Sequence, residues 1–392
     1  MVYLSLLIML ILFSLSEDFF KSNSKNKSSN ALYIIASVAL TAIACFRFGQ
    51  GLDYTAYMTM YDVISKFDSL LSLFGSTIHG EKGFLFICYI CSKSGMPFEI
   101  FVFGISIIEM LLLFRFIHIF SEHKTLSLLL SFHTLYLTYI FSALRQGLAI
   151  CIFLGILLPL FIEKKIYKYV LGVFICSLFH SSSLILLLPI FTNKINFKNT
   201  QSVIIATTFC FLVGGLSAPF TNLFLSNLTD FSEKRMNIGI SIFAILKRIG
   251  IGIMIIYLYK NIYSSESKDK NIKPIYKIYI ISLMLYGIFL GNSLVAARLS
   301  SFFECMEIIL IPSAISKDAK NKLATISFSI IMASSMYFKN INEYIDRGHY
   351  YYFVNVFNYP YLNVFNENAF TDYCMAPLRD MQLIYERGQS LF

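Results

Sequence analysis

The sequence is poor in charged residues. Only 14% of its 392 residues are Asp, Glu, Lys or Arg, whereas 57% are hydrophobic and the mean hydropathy is +0.67. A soluble domain of this composition would expose more apolar area than it could hide. Several uninterrupted apolar runs approach the roughly 20 residues that a helix needs to cross a hydrocarbon core about 30 Å thick. The composition therefore predicts an all-α, polytopic integral membrane bundle.

Motifs that hold metals or nucleotides are also lacking. The sequence contains no Asp-x-Asp pair, no His-x-x-x-His and no Walker loop, which argues against a cytoplasmic transferase that uses a metal-held nucleotide sugar. The lone C-x-x-C pair, Cys88 and Cys91, has no second pair beside it, and we interpret both as small hydrophobic residues in a helix. We therefore expect no metal and no cofactor.

Signals for secretion and for nucleic acid are absent too. Met1 to Ser16 is apolar but lacks a basic start and an A-x-A-like cleavage site, so we expect a retained first helix. The net charge of +9 comes from lysines in short loops rather than on one soluble face, which excludes nucleic acid as a partner. Loops rich in lysine stay in the cytoplasm. They are "KSNSKNKSSN" (21–30), "EKKIYKY" (163–169), "TNKINFKN" (192–199), "SSESKDKNIKPIYK" (264–277) and "SKDAKNK" (316–322).

Two apolar runs are too long for one span each. Leu126–Ile162 contains Arg145 as its only fully charged residue, and as one helix it would be about 55 Å long, nearly twice the core thickness. It is predicted to fold back at "SALRQG". By the same argument Ile278–Ser316 folds back at "GNSLVAARLSS". With the lysine loops inside, Arg145 and Arg298 face outward.

Two further stretches predict broken or re-entrant helices. The peptide "SKSGMP" interrupts Leu85–Phe120, and His180 interrupts Val170–Phe191, a run of single-span length with lysines at both ends. Such backbone is tolerated where it lines a protein cavity. The chain is thus predicted to have roughly 11–12 spans. Residues 1–338 would form the transmembrane domain, with an outward catalytic loop at 47–83, and residues 339–392 an outward C-terminal tail.

Three separated arginines share the outward face. Arg47 follows the second span and joins Arg145 and Arg298 there. One arginine at a membrane boundary can simply snorkel to phospholipid head groups. Three of them beside broken, Gly- or Gln-flanked turns favour a cationic site for an anionic ligand.

Four segments between Arg47 and Pro312 carry a family resemblance. They are "CFRFGQGLDYTAYMTMYD", "SALRQGLAICIFLGI", "FHSSSLILLLPI" and "ARLSSFFECMEIILIP". In this order they resemble the R-x-x-G-x-DY-x-x-Y signature, the R-Q-x-x-A helix start, the F-H-x-S segment and the late arginine with aromatics of the EpsG-like, Wzy-type polymerases of bacterial O-antigen and exopolysaccharide.

The resemblance implies a GT-C-like glycosyltransferase of the bacterial inner membrane. Such an enzyme polymerises oligosaccharide repeat units linked to undecaprenyl diphosphate, at the periplasmic face. Its partners would be the donor and acceptor glycans, the lipid bilayer and a chain-length regulator. The leaving group is a lipid diphosphate, and Arg47, Arg145 and Arg298 are the candidates to stabilise its developing charge.

The attacking sugar hydroxyl also needs a base. Asp53, Glu81 and His180 are the candidates on the outward side. Asp53 can instead brace Arg47 and hold the glycine loop closed. These alternatives stay open on the sequence alone.

Other residues are candidates for holding the glycan. Tyr54 and Tyr57 can stack on a sugar ring or anchor the loop at the membrane interface. Glu81 and Gln146 are further candidates for substrate binding. Glu304 and Glu307, three residues apart, form either an acid and base pair or partners for cations on neighbouring helices.

Two other functions remain on the sequence evidence. An O-antigen ligase would use similar chemistry with a different acceptor. A glycolipid flippase or transporter would predict inverted internal repeats and charges at the bilayer midplane, and we find no convincing repeat in the sequence.

Overall fold

A computed structural model describes residues 1–22, 26–193, 200–228, 242–260, 271–315, 322–348, 350–366 and 370–373. Within these ranges the chain is helical apart from turns and one isolated β-bridge. Most helices pack around one large apolar core. The prediction of an all-α membrane bundle is confirmed.

The helices follow one another with short connections. In chain order they are α1 Val2–Ser22, α2 Asn26–Cys45, α3 Tyr54–Ser65, α4 Leu70–Phe74, α5 Lys82–Lys93, α6 Phe98–Phe120, α7 Lys124–Ser131 with a π-helical segment Phe132–Ile140, α8 Leu144–Ile152 with a π-helical segment Phe153–Leu157, α9 Leu158–Ile162, α10 Ile166–Ser177, a 3-10 helix Ser181–Asn193, α11 Thr200–Leu228, α12 Ile242–Leu258, α13 Ile272–Ile288, α14 Ser293–Glu304, α15 Glu307–Ile315, α16 Lys322–Arg347 and α17 Phe370–Tyr373.

Four helical stretches among the described residues are long and apolar enough to cross a membrane. They are Ser28–Cys45, Phe98–Phe120, Leu144–Ile162 and Thr200–Ser217. Shorter apolar helices occupy Val2–Glu17, Ile166–Ser177 and Ser181–Thr192. The total of 11–12 spans stays a prediction.

The predicted turns and breaks occur where the sequence placed them. The run Leu126–Ile162 is interrupted before α8, which begins at Leu144. The second long run turns before α14, where Asn292 caps the helix by accepting the N–H of Val295 at 3.0 Å. Gly95, at φ +77°, lies in the break between α5 and α6. His180 separates α10 from the 3-10 helix.

The loops that carry the candidate residues meet at one end of the bundle, which we call the site end. It comprises the loop after α2, the start of α5, and the turns before α8, after α10 and before α14. A second apolar cluster, which includes Tyr57, Phe84, Phe101 and Leu144, holds α3 and α5 against α6 and α8 there. At the opposite end, Glu17 accepts the N–H groups of Lys124 and Thr125, both at 2.9 Å, and thereby caps α7.

Part of the topology prediction lies outside the described residues. This applies to residues 194–199, 261–270 and 316–321, which carry many of the lysines used to orient the chain. The predicted boundary at 338 needs correction, because α16 continues unbroken to Arg347. The C-terminal segment 350–366 folds back onto the site end, where Arg47 and Asn363 form the antiparallel bridge. Residues 374–392 of the predicted tail also lie outside the described part.

Candidate functional site

An ion pair between Glu81 and Arg145 lies at the site end. Glu81 immediately precedes α5, Arg145 lies in the first turn of α8, and Nη1 of Arg145 is 2.6 Å from Oε2 of Glu81. The other carboxylate oxygen accepts hydrogen bonds from the backbone N–H and the hydroxyl of Ser181, at 3.0 and 3.3 Å. One carboxylate thus joins three segments that are far apart in the sequence.

A glycine permits this meeting of segments. The N–H groups of Gly83 and Phe84 both donate to the carbonyl of Leu178, at 2.9 and 3.2 Å. A Cβ atom at position 83 would lie 2.7 Å from that carbonyl oxygen, closer than real Cβ atoms approach. Gly83 therefore allows the start of α5 to reach the turn that follows α10, where Ser181 meets Glu81.

Tyr57 orients the guanidinium of Arg145. Its hydroxyl is 3.4 Å from Nε, and its ring centroid is 5.9 Å from Cζ. The ring packs in turn on Phe84, with centroids 5.8 Å apart. Within the described ranges, Nη2 of Arg145 has no hydrogen-bond partner, and the side chain is 18% exposed. The guanidinium therefore keeps an N–H edge free for an anionic ligand.

Glu81 is held in its ionised form. Burial by itself would raise the pKa of its carboxyl, but the N–H of Ser181 and the charge of Arg145 bring that pKa below its ordinary value. Both oxygens already accept hydrogen bonds. Because both oxygens are occupied, Glu81 is suited to act as a brace for Arg145.

His180 is the neutral group of the site. It lies in the turn before the 3-10 helix, with Nδ1 2.5 Å from the hydroxyl of Ser182. Burial lowers the pKa of His180 to about 4; the charge of Glu81 opposes this shift, and the charges of Arg145 and Arg298 add to it. The imidazole is therefore neutral at pH 7 and can accept a proton.

Gln146 connects the two helices that carry the outward arginines. Its buried side-chain amide donates to the carbonyl of Arg298 at 3.0 Å and to the hydroxyl of Ser301 at 2.9 Å. Arg298 itself is exposed, and its guanidinium has no hydrogen-bond partner in the part of the chain that the structure describes. Gln146 was predicted to bind substrate, but its amide N–H groups donate to α14 and thereby position the backbone of Arg298.

Arg47 has a different environment from the other two arginines. It is fully buried. Its contacts are neutral: the carbonyl of Ala44, the carbonyl of Ile140 and the hydroxyl of Ser106 (both 2.8 Å), and the ring of Phe141 (4.8 Å). This burial corrects the expectation that the three arginines form one outward site. Arg47 instead connects the end of α2 to α6 and to the end of the first π-helical segment. Arg145 and Arg298 remain the partly exposed pair.

Asp53 and Tyr54, at the start of α3, lie in different surroundings. Asp53 is exposed and makes no side-chain capping hydrogen bond. It lies one helical turn before Tyr57. The ring of Tyr54 is buried between Phe48 and Phe98, with centroid distances of 6.2 and 5.3 Å. Tyr54 is therefore a packing residue, which corrects its prediction as a sugar-stacking residue.

A second charged cluster escaped the sequence analysis. Lys247 and Arg248 of α12 both bind Glu304 of α14, with N–O distances of 3.1 and 2.7 Å. All three side chains are largely buried. Glu304 thus pairs with cations on a neighbouring helix, one of the two alternatives left open for it. The signal was the adjacent Lys-Arg pair inside an apolar run, which membrane-embedded helices rarely contain without a partner.

Comparison with known proteins identifies one family. The model of the EpsG family matches residues 30–363, which include every candidate residue of the site. No curated protein matches the chain. No solved structure matches it either.

Proposed function

Because the chain belongs to the EpsG family, a family of membrane proteins of polysaccharide biosynthesis, we propose that it is a glycosyltransferase that polymerises lipid-linked repeat units. The donor is a glycan on undecaprenyl diphosphate, and the acceptor is the terminal sugar of a second lipid-linked unit. The observation that carries this proposal is the free N–H edge of Arg145, held by Glu81 and Tyr57 beside a neutral His180.

The two partly exposed arginines suit a diphosphate leaving group. In the transfer, the bond between the anomeric carbon and the diphosphate oxygen breaks, and the oxygen keeps the electron pair. Arg145 offers a planar, oriented donor edge, and Arg298 adds a second positive charge nearby. Donors that are positioned before the charge develops stabilise the transition state most effectively.

His180 is the base that the geometry favours. When Nδ1–H donates to the Ser182 hydroxyl, the lone pair of Nε2 is free. This nitrogen takes the proton of the acceptor hydroxyl as its oxygen bonds to the anomeric carbon. Glu81 supports the resulting imidazolium through its negative charge. Asp53, exposed one turn from Tyr57, would accept hydrogen bonds from sugar hydroxyls at the site end.

Two experiments test the proposal. Deletion of the gene should leave lipid A core with a single repeat unit; core with no repeat would indicate a ligase, and repeats trapped on the inner leaflet a flippase.

The purified protein in vesicles should then form polymer ladders from lipid-linked repeats. His180→Gln should abolish the ladder while a fluorescent lipid-linked donor still binds. An active His180→Gln variant would contradict the assignment of the base.

A further inference from the structure

The C-terminal segment 350–366 has an unusual composition for a surface loop. The sequence "YYYFVNVFNYPYLNVFN" contains no charged residue and is rich in tyrosine and phenylalanine. Its flanks are charged, with Arg347 before it and Glu367 after it. Aromatic residues without charge are typical of the layer where a membrane protein meets the lipid head groups.

The segment contains the same tetrapeptide, Asn-Val-Phe-Asn, twice. In the first copy the N–H of Asn355 donates to Oδ1 of Asn358 at 2.6 Å, and the N–H of Phe357 donates to Oδ1 of Asn355 at 2.9 Å. In the second copy, residues 363–366, the corresponding distances are 2.7 and 2.9 Å. Each turn is closed by a backbone bond of 3.2 or 3.0 Å between its first and last residues. The two copies therefore form the same turn.

These turns satisfy their backbone N–H groups without water. The asparagine side chains and the closing carbonyl accept three of the N–H groups of each turn. In water such groups need no protein partner. At the edge of a hydrocarbon layer an unsatisfied N–H is costly, so irregular backbone there has to bond internally.

Each turn presents one phenylalanine outward, next to an aromatic ring of the helical bundle. Phe357 is 61% exposed and packs on Phe338 of α16 with centroids 5.6 Å apart. Phe365 is 81% exposed and packs on Phe46 at 5.4 Å. Phe46 follows α2, one of the helices long enough to cross a membrane, and packs in turn on Phe103 of another, α6, at 5.5 Å.

Phe365 contacts, through Phe46, two helices that carry an apolar outward face. Outward-facing aliphatic side chains on α2 and α6 include Ile34, Ile35, Val38, Ile108 and Leu111. A face of this kind on a membrane-spanning helix contacts lipid. The segment 350–366 thus extends the lipid-facing surface at the site end.

We propose that residues 350–366 form an interfacial membrane anchor that inserts Phe357 and Phe365 into the head-group layer at the site end. The anchor also reaches the loop after α2: the N–H of Phe48 donates to the Leu362 carbonyl at 3.0 Å, and the amide of Gln50 donates to the Pro360 carbonyl at 2.7 Å. It therefore fixes the depth of that loop in the membrane. This inference does not depend on the proposed function.

The absence of tryptophan from the chain makes the anchor directly testable. Phe357→Trp and Phe365→Trp each introduce a single fluorophore at an exposed position, and each variant reports independently. The full-length protein is reconstituted in phosphatidylcholine vesicles that contain lipids brominated either close to the glycerol or near the end of the acyl chain. Phe209→Trp, exposed in the middle of α11, and Phe302→Trp, buried in α14, serve as controls.

We expect both turn variants to be quenched most by bromine close to the glycerol. Phe209→Trp should be quenched most by bromine near the chain end, and Phe302→Trp by neither. Quenching of the turn variants by aqueous iodide, with none from either brominated lipid, would overturn the anchor. The anchor would also be overturned if iodide quenches the turn variants and only an added lipid-linked glycan protects them. The two side chains would then contact sugar instead of lipid.

Discussion

Replacement of Arg145 by lysine tests whether the geometry of the guanidinium, and not its charge alone, serves the reaction. In the structure this side chain uses Nη1 for Glu81 and Nε for Tyr57, and leaves Nη2 for a ligand. A lysine ammonium is a point charge on a flexible stem. The ammonium can pair with Glu81 or bind the ligand, but it lacks the planar set of N–H groups that lets the guanidinium do both at once.

The expected magnitude follows from the hydrogen bonds that are lost. A hydrogen bond to a charged group contributes about 1.5–3 kcal/mol, so loss of one such bond to the diphosphate slows transfer roughly 10- to 150-fold. The Glu81 pair is partly exposed, and its weakening adds little to unfolding. The melting temperature of Arg145→Lys should therefore stay close to that of the parent protein.

Arg347→Lys is the matched control. Arg347 is an exposed arginine that also pairs with a glutamate, Glu343, at 2.9 Å, but within one helix. Polymer formation from lipid-linked repeats is measured in vesicles at equal amounts of folded protein. A parent-like rate for Arg145→Lys, equal to that of Arg347→Lys, would refute the role of an oriented guanidinium.

Four further predictions concern packing, protonation and metal. Gly147→Ala should lower the free energy of unfolding by about 1–3 kcal/mol, because its Cβ would lie 2.8 Å from the backbone carbonyl oxygen of Tyr139. Gly104→Ala, with open space around it, should leave the thermal melt unchanged. Arg47→Met should leave buried carbonyls unpaired and cost at least about 1–3 kcal/mol of stability; an unchanged melt would contradict its bracing role. The polymerisation rate should stay constant as the pH falls through 6.5. Burial lowers the pKa of His180 to about 4, so the imidazole becomes protonated, and unable to act as a base, only near that pH. A rate that is half-maximal at pH 6.5 would show that the pKa of this histidine is not shifted. Ladders should form in EDTA, and activity that magnesium restores would point to a metal-assisted reaction.

The sequence predicted the breaks in the helices well because each break has a local cause. Glycine, an asparagine cap or an excess of length over the membrane core acts within a few residues. The sequence also placed Glu81, Arg145 and His180 at one side, although it did not predict that they lie close together there. The positive-inside pattern indicates on which side of the membrane each loop lies, and this requires no knowledge of tertiary contacts.

The environments of individual side chains were not predictable in the same way. Arg47 and Arg145 both follow an apolar run beside glycine and glutamine. Only the packing of α6 and of the first π-helical segment surrounds Arg47 with carbonyls and a hydroxyl. The pairing of Glu304 with α12 likewise depends on which helices are neighbours, a property that hydropathy does not encode.

The buried Glu304 cluster helps to fix the helix that carries Arg298, whose charge acts on His180 together with that of Arg145. Successive polar groups on α14 are fixed from neighbouring helices: the Arg298 carbonyl and the Ser301 hydroxyl by Gln146, and Glu304 by the two cations of α12. Removing one partner of a buried ion pair costs about 3–5 kcal/mol. Two like charges near a solvated surface repel each other by only about 1 kcal/mol at 4 Å in bulk water. The backbone of α14 is therefore held against this repulsion, and under the proposed function a diphosphate would meet one positive charge from each of the two helices.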